Sequence, residues 1–235
     1  KDTGQKDTIN EHEDTRGLFK PDVLTIGFAR RVAAYKRWDL LFSDLERLLK
    51  MVDDEKRPVQ FVFAGKAHPQ DRTAKTILQK LMSINHDSNW QRRAVFIEDY
   101  DQEVARYLVH GVDVWLNVPR RPMEASGTSG MKAAMNGVLN ASILDGWWIE
   151  GYNGRNGFAI GSADDEHSEA EMDSADSRAL YATLENEIIP AYYSRDANDL
   201  PGEWIARMRS SIATLTPQFS SDRMVSDYVA RIYGL

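Results

Sequence analysis

An α/β fold with a Rossmann-like parallel sheet, helices on both faces and further helices at the C-terminal end is predicted by three features. Short apolar runs alternate with stretches of helical periodicity from residue 21 to about 161. The apolar runs are bounded by Pro, Gly and Asp rather than by further alternating strands. After about residue 161 the strand signals stop and only helical patterns continue.

The elements follow in order. VLTIGFA, ending near Arg30, is a strand. Residues 37–52 carry apolar side chains at helical spacing and predict one helix. VQFVFA at 59–64 is a strand with a glycine turn after it, and 70–84 a helix. A strand is expected around 94–98, a short helix in EVARYLVHG, and a strand in VDVWLNV at 112–118. MKAAMNG reads as a helix and VLNASILD as a strand. The segment SADDEHSEAEMDSADS reads as acidic surface, and 176–193, 202–215 and 220–233 as helices. Pro201 with Gly202, and Ser220 with Ser221, are the start signals of the last two. This divides the chain into a polar lead-in over 1–20, a sheet core over 21–161 and a helical extension over 162–235 packed on the same domain.

Composition excludes several function classes. The 235 residues carry a formal net charge of -7, which disfavours nucleic acid and anionic membrane as partners. There is no cysteine, so disulfides, thiolate metal sites and cysteine nucleophiles are excluded. No histidine or carboxylate stands at metal-ligand spacing in the candidate loops, so no metal is expected. The first residues lack an apolar signal region and no run has membrane length, so a cytoplasmic location is the expectation.

Three loops interrupt the apolar strands with polar chemistry. Sheets of this kind bind ligands at the carboxyl ends of their strands. The first loop, ARRVAAYKRW, places Arg30, Arg31, Lys36 and Arg37 in an acidic chain. An anion site built on Arg31 and Lys36 competes there with a merely solvated basic face. The second, FAGKAHP, offers Lys66 and His68, either of which is as readily structural. The third, PRRPMEASGTSGMKAAMNG, has Glu124, then small residues from Ala125 to Gly130, then a helix. Its backbone N–H groups, helix N-terminus and hydroxyls make an anion receptor. It matches neither GxGxxG nor GxxxxGK[ST]. Lys132 follows in that helix among small and apolar residues, where partial desolvation suits an imine-forming amine; a solvent-facing lysine is the plainer reading. Trp147, Trp148 and Tyr152 line a sugar pocket or fill the core, and Asp145, Glu150 and Asn153 are weaker candidates for hydroxyl contacts.

EASGTSGMKAAMNG at 124–137, GFARRVAAYKRW at 27–38, FAGKAHP at 63–69 and LDGWWIEGYNGRNGFAIG at 144–161, in that order, resemble the C-terminal half of the α-glucan (glycogen/maltodextrin) phosphorylases, nearest their bacterial and archaeal branch. The resemblance covers nearly all of the chain after residue 20. It implies one half of a two-domain GT-B glycosyltransferase architecture. It implies reversible transfer of a glucosyl unit from an α-1,4-glucan to inorganic phosphate, giving glucose 1-phosphate. Pyridoxal 5′-phosphate would be carried by Lys132 as a Schiff base and act through its phosphate. By the same resemblance Arg31 and Lys36 serve the substrate and cofactor phosphates with Arg30 helping. Glu124, Ser126 and Gly127 meet the glucose unit, Gly127 also lies against the cofactor, and Thr128 holds the cofactor phosphate. An N-terminal catalytic domain would be the partner, and this stretch by itself would lack full activity. Oligomeric state is left open. Ile149 stands where that branch carries an acidic residue. Two rival readings share parts of the pattern: the sugar-nucleotide half of a starch or glycogen synthase, and a non-catalytic glucan- or phosphate-binding remnant.

Overall fold

The computed structural model describes residues 19–90, 93–162 and 168–234. Most of the expected lead-in and residues 163–167 of the acidic segment lie outside that set. Among the described residues six parallel strands form one sheet in the order β3-β2-β1-β4-β5-β6. They are β1 (Leu24–Ala29), β2 (Val59–Ala64), β3 (Ala94–Ile97), β4 (Val114–Asn117), β5 (Leu139–Ile143) and β6 (Phe158–Ile160). The order runs outward one way from β1 and the other way from β4, so the loops after those two strands diverge and leave a crevice between them.

Strand alternation sends side chains to two cores. On one face Leu24, Ile26, Phe28, Phe61, Phe63, Val114 and Leu116 pack against α1 (Leu45–Val52), α2 (Arg72–Met82), α6 (Glu169–Thr183) and α7 (Ile189–Tyr193). On the other, Val62, Ala64 and Trp115 meet α3 (Gln102–Gly111) and α4 (Thr128–Met135). A third cluster joins Ala134 of α4 to Trp147 and Trp148 of α5 (Trp147–Gly151) and Leu215 of α8 (Gly202–Gln218). The chain closes with α9 (Ser221–Tyr228) and a π-turn over Val229–Tyr233. Leu180, Tyr181, Leu184, Ile188 and Trp204, all beyond residue 161, share the core of the sheet. Among the described residues no helix is long and apolar enough to cross a membrane.

Side-chain caps start most of the long helices: Asp44, Asp71, Asp101 and Ser220 each accept from a backbone N–H three residues on, and Ser168 with Glu171 forms a capping box. Pro201 supplies no such bond to α8.

Several expectations are corrected. The single helix expected over 37–52 begins as a short 3-10 turn, Trp38–Phe42, and resumes as α1 after Asp44, whose side chain caps it; another 3-10 turn, Ala34–Lys36, stands just before it. Arg37, between the two 3-10 turns, adopts left-handed φ 49, which ends helical hydrogen bonding there. α6 begins at Glu169, inside the segment read as acidic surface, because the capping box at Ser168 organises it. α4 begins at Thr128, three residues before the expected start. β6 and α5 carried too few residues for periodicity to reveal them.

Candidate functional site

The loops after β1 and β4 meet at the crevice. Gly65 allows the first approach: a Cβ there would lie 2.6 Å from the Arg30 carbonyl oxygen. Val32 N–H then donates to Lys66 O at 2.9 Å, so the loops after β1 and β2 run side by side. The β1 loop is tied to the β4 loop by Arg120 N–H donating to Tyr35 O at 2.7 Å.

Glu124 is held from below by Asp145, which closes β5. Glu124 N–H donates to Asp145 Oδ2 at 2.9 Å, and Gly146 N–H to Asp145 Oδ1 at 2.8 Å. Trp147 N–H donates to Ser126 O at 2.9 Å, completing the seat of the glycine-rich loop. Asp145 is therefore a support of the loop. Trp147 and Trp148 are core residues, and Glu150 and Asn153 are exposed away from the crevice loops.

With its backbone held, the Glu124 carboxylate points at the β1 loop. Its Oε2 receives Arg30 Nη2 at 3.0 Å and also the Lys36 ammonium. All three side chains are at most 8% exposed. Burial lowers the Arg30 guanidinium from its usual range, and Glu124 acts against that shift. Arg30 Nε and Nη1 are buried and make no hydrogen bond among the described residues. Arg31 is exposed beside them.

Ala29, Arg30, Arg31, Lys36, Glu124, Ser126, Gly127 and Thr128 border one cavity of about 380 Å³. A second cavity of about 680 Å³ adjoins it through Tyr100, Thr128 and Ser129, and Lys132 lines this one with Arg106 and Met135. The first turn of α4 borders both through Thr128 and Ser129, and Lys132 lies one turn on. Gly127 caps α4 in left-handed φ 95, with Trp147 beneath it. Of the two readings of Lys132, the structure has the plainer, solvent-facing one. Gly130, Ala133 and Ala134 form the buried face of α4, and Lys132 is on the exposed one.

Tyr100 borders both cavities and gave no motif signal, because it stands alone in the loop before α3. Burial pushes its phenol up, with Arg30 countering. Lys66, His68 and Ile149 are exposed and border neither cavity; His68 Nδ1 accepts from Gln70 N–H at 3.2 Å. Arg37 also lies outside the anion cavity and is taken up by carbonyls and carboxylates.

A family model of carbohydrate phosphorylases matches residues 7–191. The chain is 52% identical over 240 residues to the glycogen phosphorylase of Aquifex aeolicus (strain VF5), with 100% of this chain and 34% of that protein covered. It is 47% identical over 235 residues to the maltodextrin phosphorylase of Thermococcus litoralis, covering 97% of this chain and 28% of the relative. It is 46% identical over 216 residues to the glycogen phosphorylase of Mycobacterium tuberculosis (strain ATCC 25618 / H37Rv), covering 92% and 25%. The chain thus spans about a third or less of the length of these relatives. On the family match, the ordered loops and the parallel sheet that carries them, the chain belongs to the carbohydrate phosphorylase family.

Proposed function

We propose that the chain is the phosphate- and cofactor-binding part of an α-glucan phosphorylase, which moves a glucosyl unit from an α-1,4-glucan to inorganic phosphate and releases glucose 1-phosphate. The observation that carries this reading is the buried convergence of Arg30, Lys36 and Glu124 at the β1/β4 crevice, beside the cavity that Lys132 lines. Because the chain spans about a third or less of its relatives, a complementary N-terminal domain of the GT-B pair supplies the other wall of the glucan cleft in this reading.

Pyridoxal 5′-phosphate is the cofactor in this reading, and the residues fit it. The first turn of α4 presents backbone N–H groups to an anion, and Arg30 keeps two buried donors without partners among the described residues. The Lys132 amine makes no hydrogen bond among them and faces a cavity that shares Thr128 with the cation site. Bound there, the cofactor supplies a phosphate able to exchange a proton with the substrate phosphate.

The protein's own groups do the rest. Lys132 anchors the cofactor, and Thr128 and Gly127 hold it at the helix N-terminus. Arg31 and Lys36, with Arg30, offset the repulsion between two phosphates held close in a low-dielectric site. Glu124 accepts from a glucose hydroxyl, with Ser126 and Gly127 beside the sugar. Since Glu124 and Lys36 touch, a sugar bound to one and a phosphate bound to the other are placed as neighbours.

Incubating the protein with pyridoxal 5′-phosphate, reducing with borohydride and mapping peptides tests the assignment. One cofactor on Lys132, absent from Lys132→Ala, is the expected result; an unmodified Lys132 at saturating cofactor would overturn it. Phosphate binding without phosphorolysis, in the presence of the complementary domain, would favour a non-catalytic binding module instead.

A further inference from the structure

Arg37 is the cation of the β1 loop that the anion cavity leaves out, and its surroundings are more ordered than a solvated side chain needs. Its guanidinium is 3% exposed. Nε donates to Val118 O at 3.0 Å and Nη2 to Pro119 O at 2.8 Å. Nη1 reaches Asp173 Oδ1 at 2.9 Å, and Nη2 reaches Asp176 Oδ2 at 2.8 Å. Asp173 and Asp176 stand three residues apart on α6 and so share a helix face. Arg120, from the β4 loop, also bonds Asp173, and its other terminal nitrogen reaches Glu169 at 2.8 Å.

The two carbonyls that Arg37 grips belong to the chain leading into Glu124. The residue before Arg37 in sequence is Lys36. One guanidinium thus joins the loop bearing the cation to the loop bearing the carboxylate. Arg37 also holds left-handed φ 49, a conformation unfavourable for a non-glycine residue that persists where its surroundings hold it. Its side chain is held by the Val118 and Pro119 carbonyls on one side and by α6 on the other. Asp176 is 5% exposed and faces both Arg37 and, at 4.0 Å, Arg121. Burial alone would raise the Asp173 carboxyl, but hydrogen bonds from Arg37 and Arg120 hold it below the usual carboxylate range.

A buried ion pair contributes little net stability compared with an apolar filling of the same shape, so geometry is the better reason for one. Only a fork with five donors can bind two carbonyls and two carboxylates at once. A lysine at 37 has one nitrogen and cannot span them.

We propose that Asp176, assisted by Asp173, is a positioning residue for the phosphate site: acting through Arg37, it sets how the Lys36 and Glu124 loops face each other. The proposal rests on the phosphorylase reading for what that site binds. It assigns α6, from the C-terminal region, a role at the crevice beyond covering the sheet.

The test uses inorganic phosphate titrated calorimetrically into the 235-residue chain and its variants. Asp176→Asn is expected to weaken phosphate binding by about tenfold, the scale on which charged neighbours couple. In a Lys36→Ala background the same change should weaken it no further, because its effect passes through Lys36. Additive losses, or a folded Asp176→Asn chain with unchanged affinity, would overturn the proposal. If Asp176→Asn does not fold, Asp173→Asn, whose side chain is 35% exposed, must show the same non-additivity, and unchanged affinity there overturns it equally. A second readout does not depend on phosphate: the NMR signal of the Lys36 ammonium, which should move to the position of an exposed lysine in either aspartate variant. If the wild-type chain binds no phosphate, the functional reading fails; if the Lys36 signal stays where it is, the positioning role fails.

Discussion

Lys36 and Glu124, 88 residues apart in sequence, meet as a buried ion pair across the crevice between β1 and β4. Arg30 shares the same carboxylate oxygen, so one acid balances two cations. Removing it strands both. Glu124→Ala is expected to cost about 3–5 kcal/mol of stability in urea unfolding, and Glu124→Gln, which keeps one acceptor, distinctly less. A loss below about 1 kcal/mol for the alanine would show that the cations relax into water freely.

Gly146 is the hinge beneath that carboxylate. Its φ is 54, and a Cβ there would lie 2.5 Å from Ser126 O and 2.7 Å from Glu124 O. Gly146→Ala is expected to lose at least about 2 kcal/mol and to weaken phosphate binding, because the 124–126 backbone must shift. Gly154 has φ 83 but nothing within 4 Å, so Gly154→Ala carries the backbone cost alone, about 1 kcal/mol, and leaves phosphate affinity unchanged. Equal thermal shifts in the two variants would contradict the close-approach argument.

Asp113 gives the protein a pH dependence of predictable sign. Its carboxylate accepts from Thr25 N–H at 2.8 Å, yet burial dominates and raises its pKa. A raised carboxyl means the folded state binds the proton more tightly than the unfolded chain. Its contribution is therefore full below the ordinary carboxylate range and is lost as pH rises through the raised value. Asp113→Asn, which keeps the acceptor without the charge, should be more stable than wild type at pH 8 and equal to it near pH 4. Denaturant midpoints at both values decide; a gap that does not change with pH would refute the assignment.

Tyr181 pins α6 to the segment that follows Lys36. Its hydroxyl lies 2.6 Å from Leu41 O and 2.8 Å from Asp44 O, and burial pushes the phenol up to about 12. Tyr181→Phe leaves those carbonyls without that donor and should cost about 1–3 kcal/mol. Phosphate affinity should hold, because Arg37 and its aspartates remain. Loss of affinity at unchanged stability would mean that the hydroxyl, too, positions the site.

The sequence by itself determined the parallel α/β architecture, since short apolar runs separated by helical spacing admit few other arrangements, and it located the loops that carry polar chemistry. The motif order also carried the family resemblance, with Lys36, Glu124 and Lys132 named in it. It could not reveal β6, whose three residues are too short for a period, nor the break at Asp44, where apolar spacing continues although the backbone leaves the helical conformation. Tertiary structure alone decided that Lys36 and Arg30 share Glu124, that the cavity Lys132 lines adjoins the cation site, and that Arg37 belongs to α6 rather than to the anion cavity. The physical reason is common to all three. Periodicity reports which side of an element is apolar, whereas the partner of a buried charge depends on which distant loop the sheet order brings beside it.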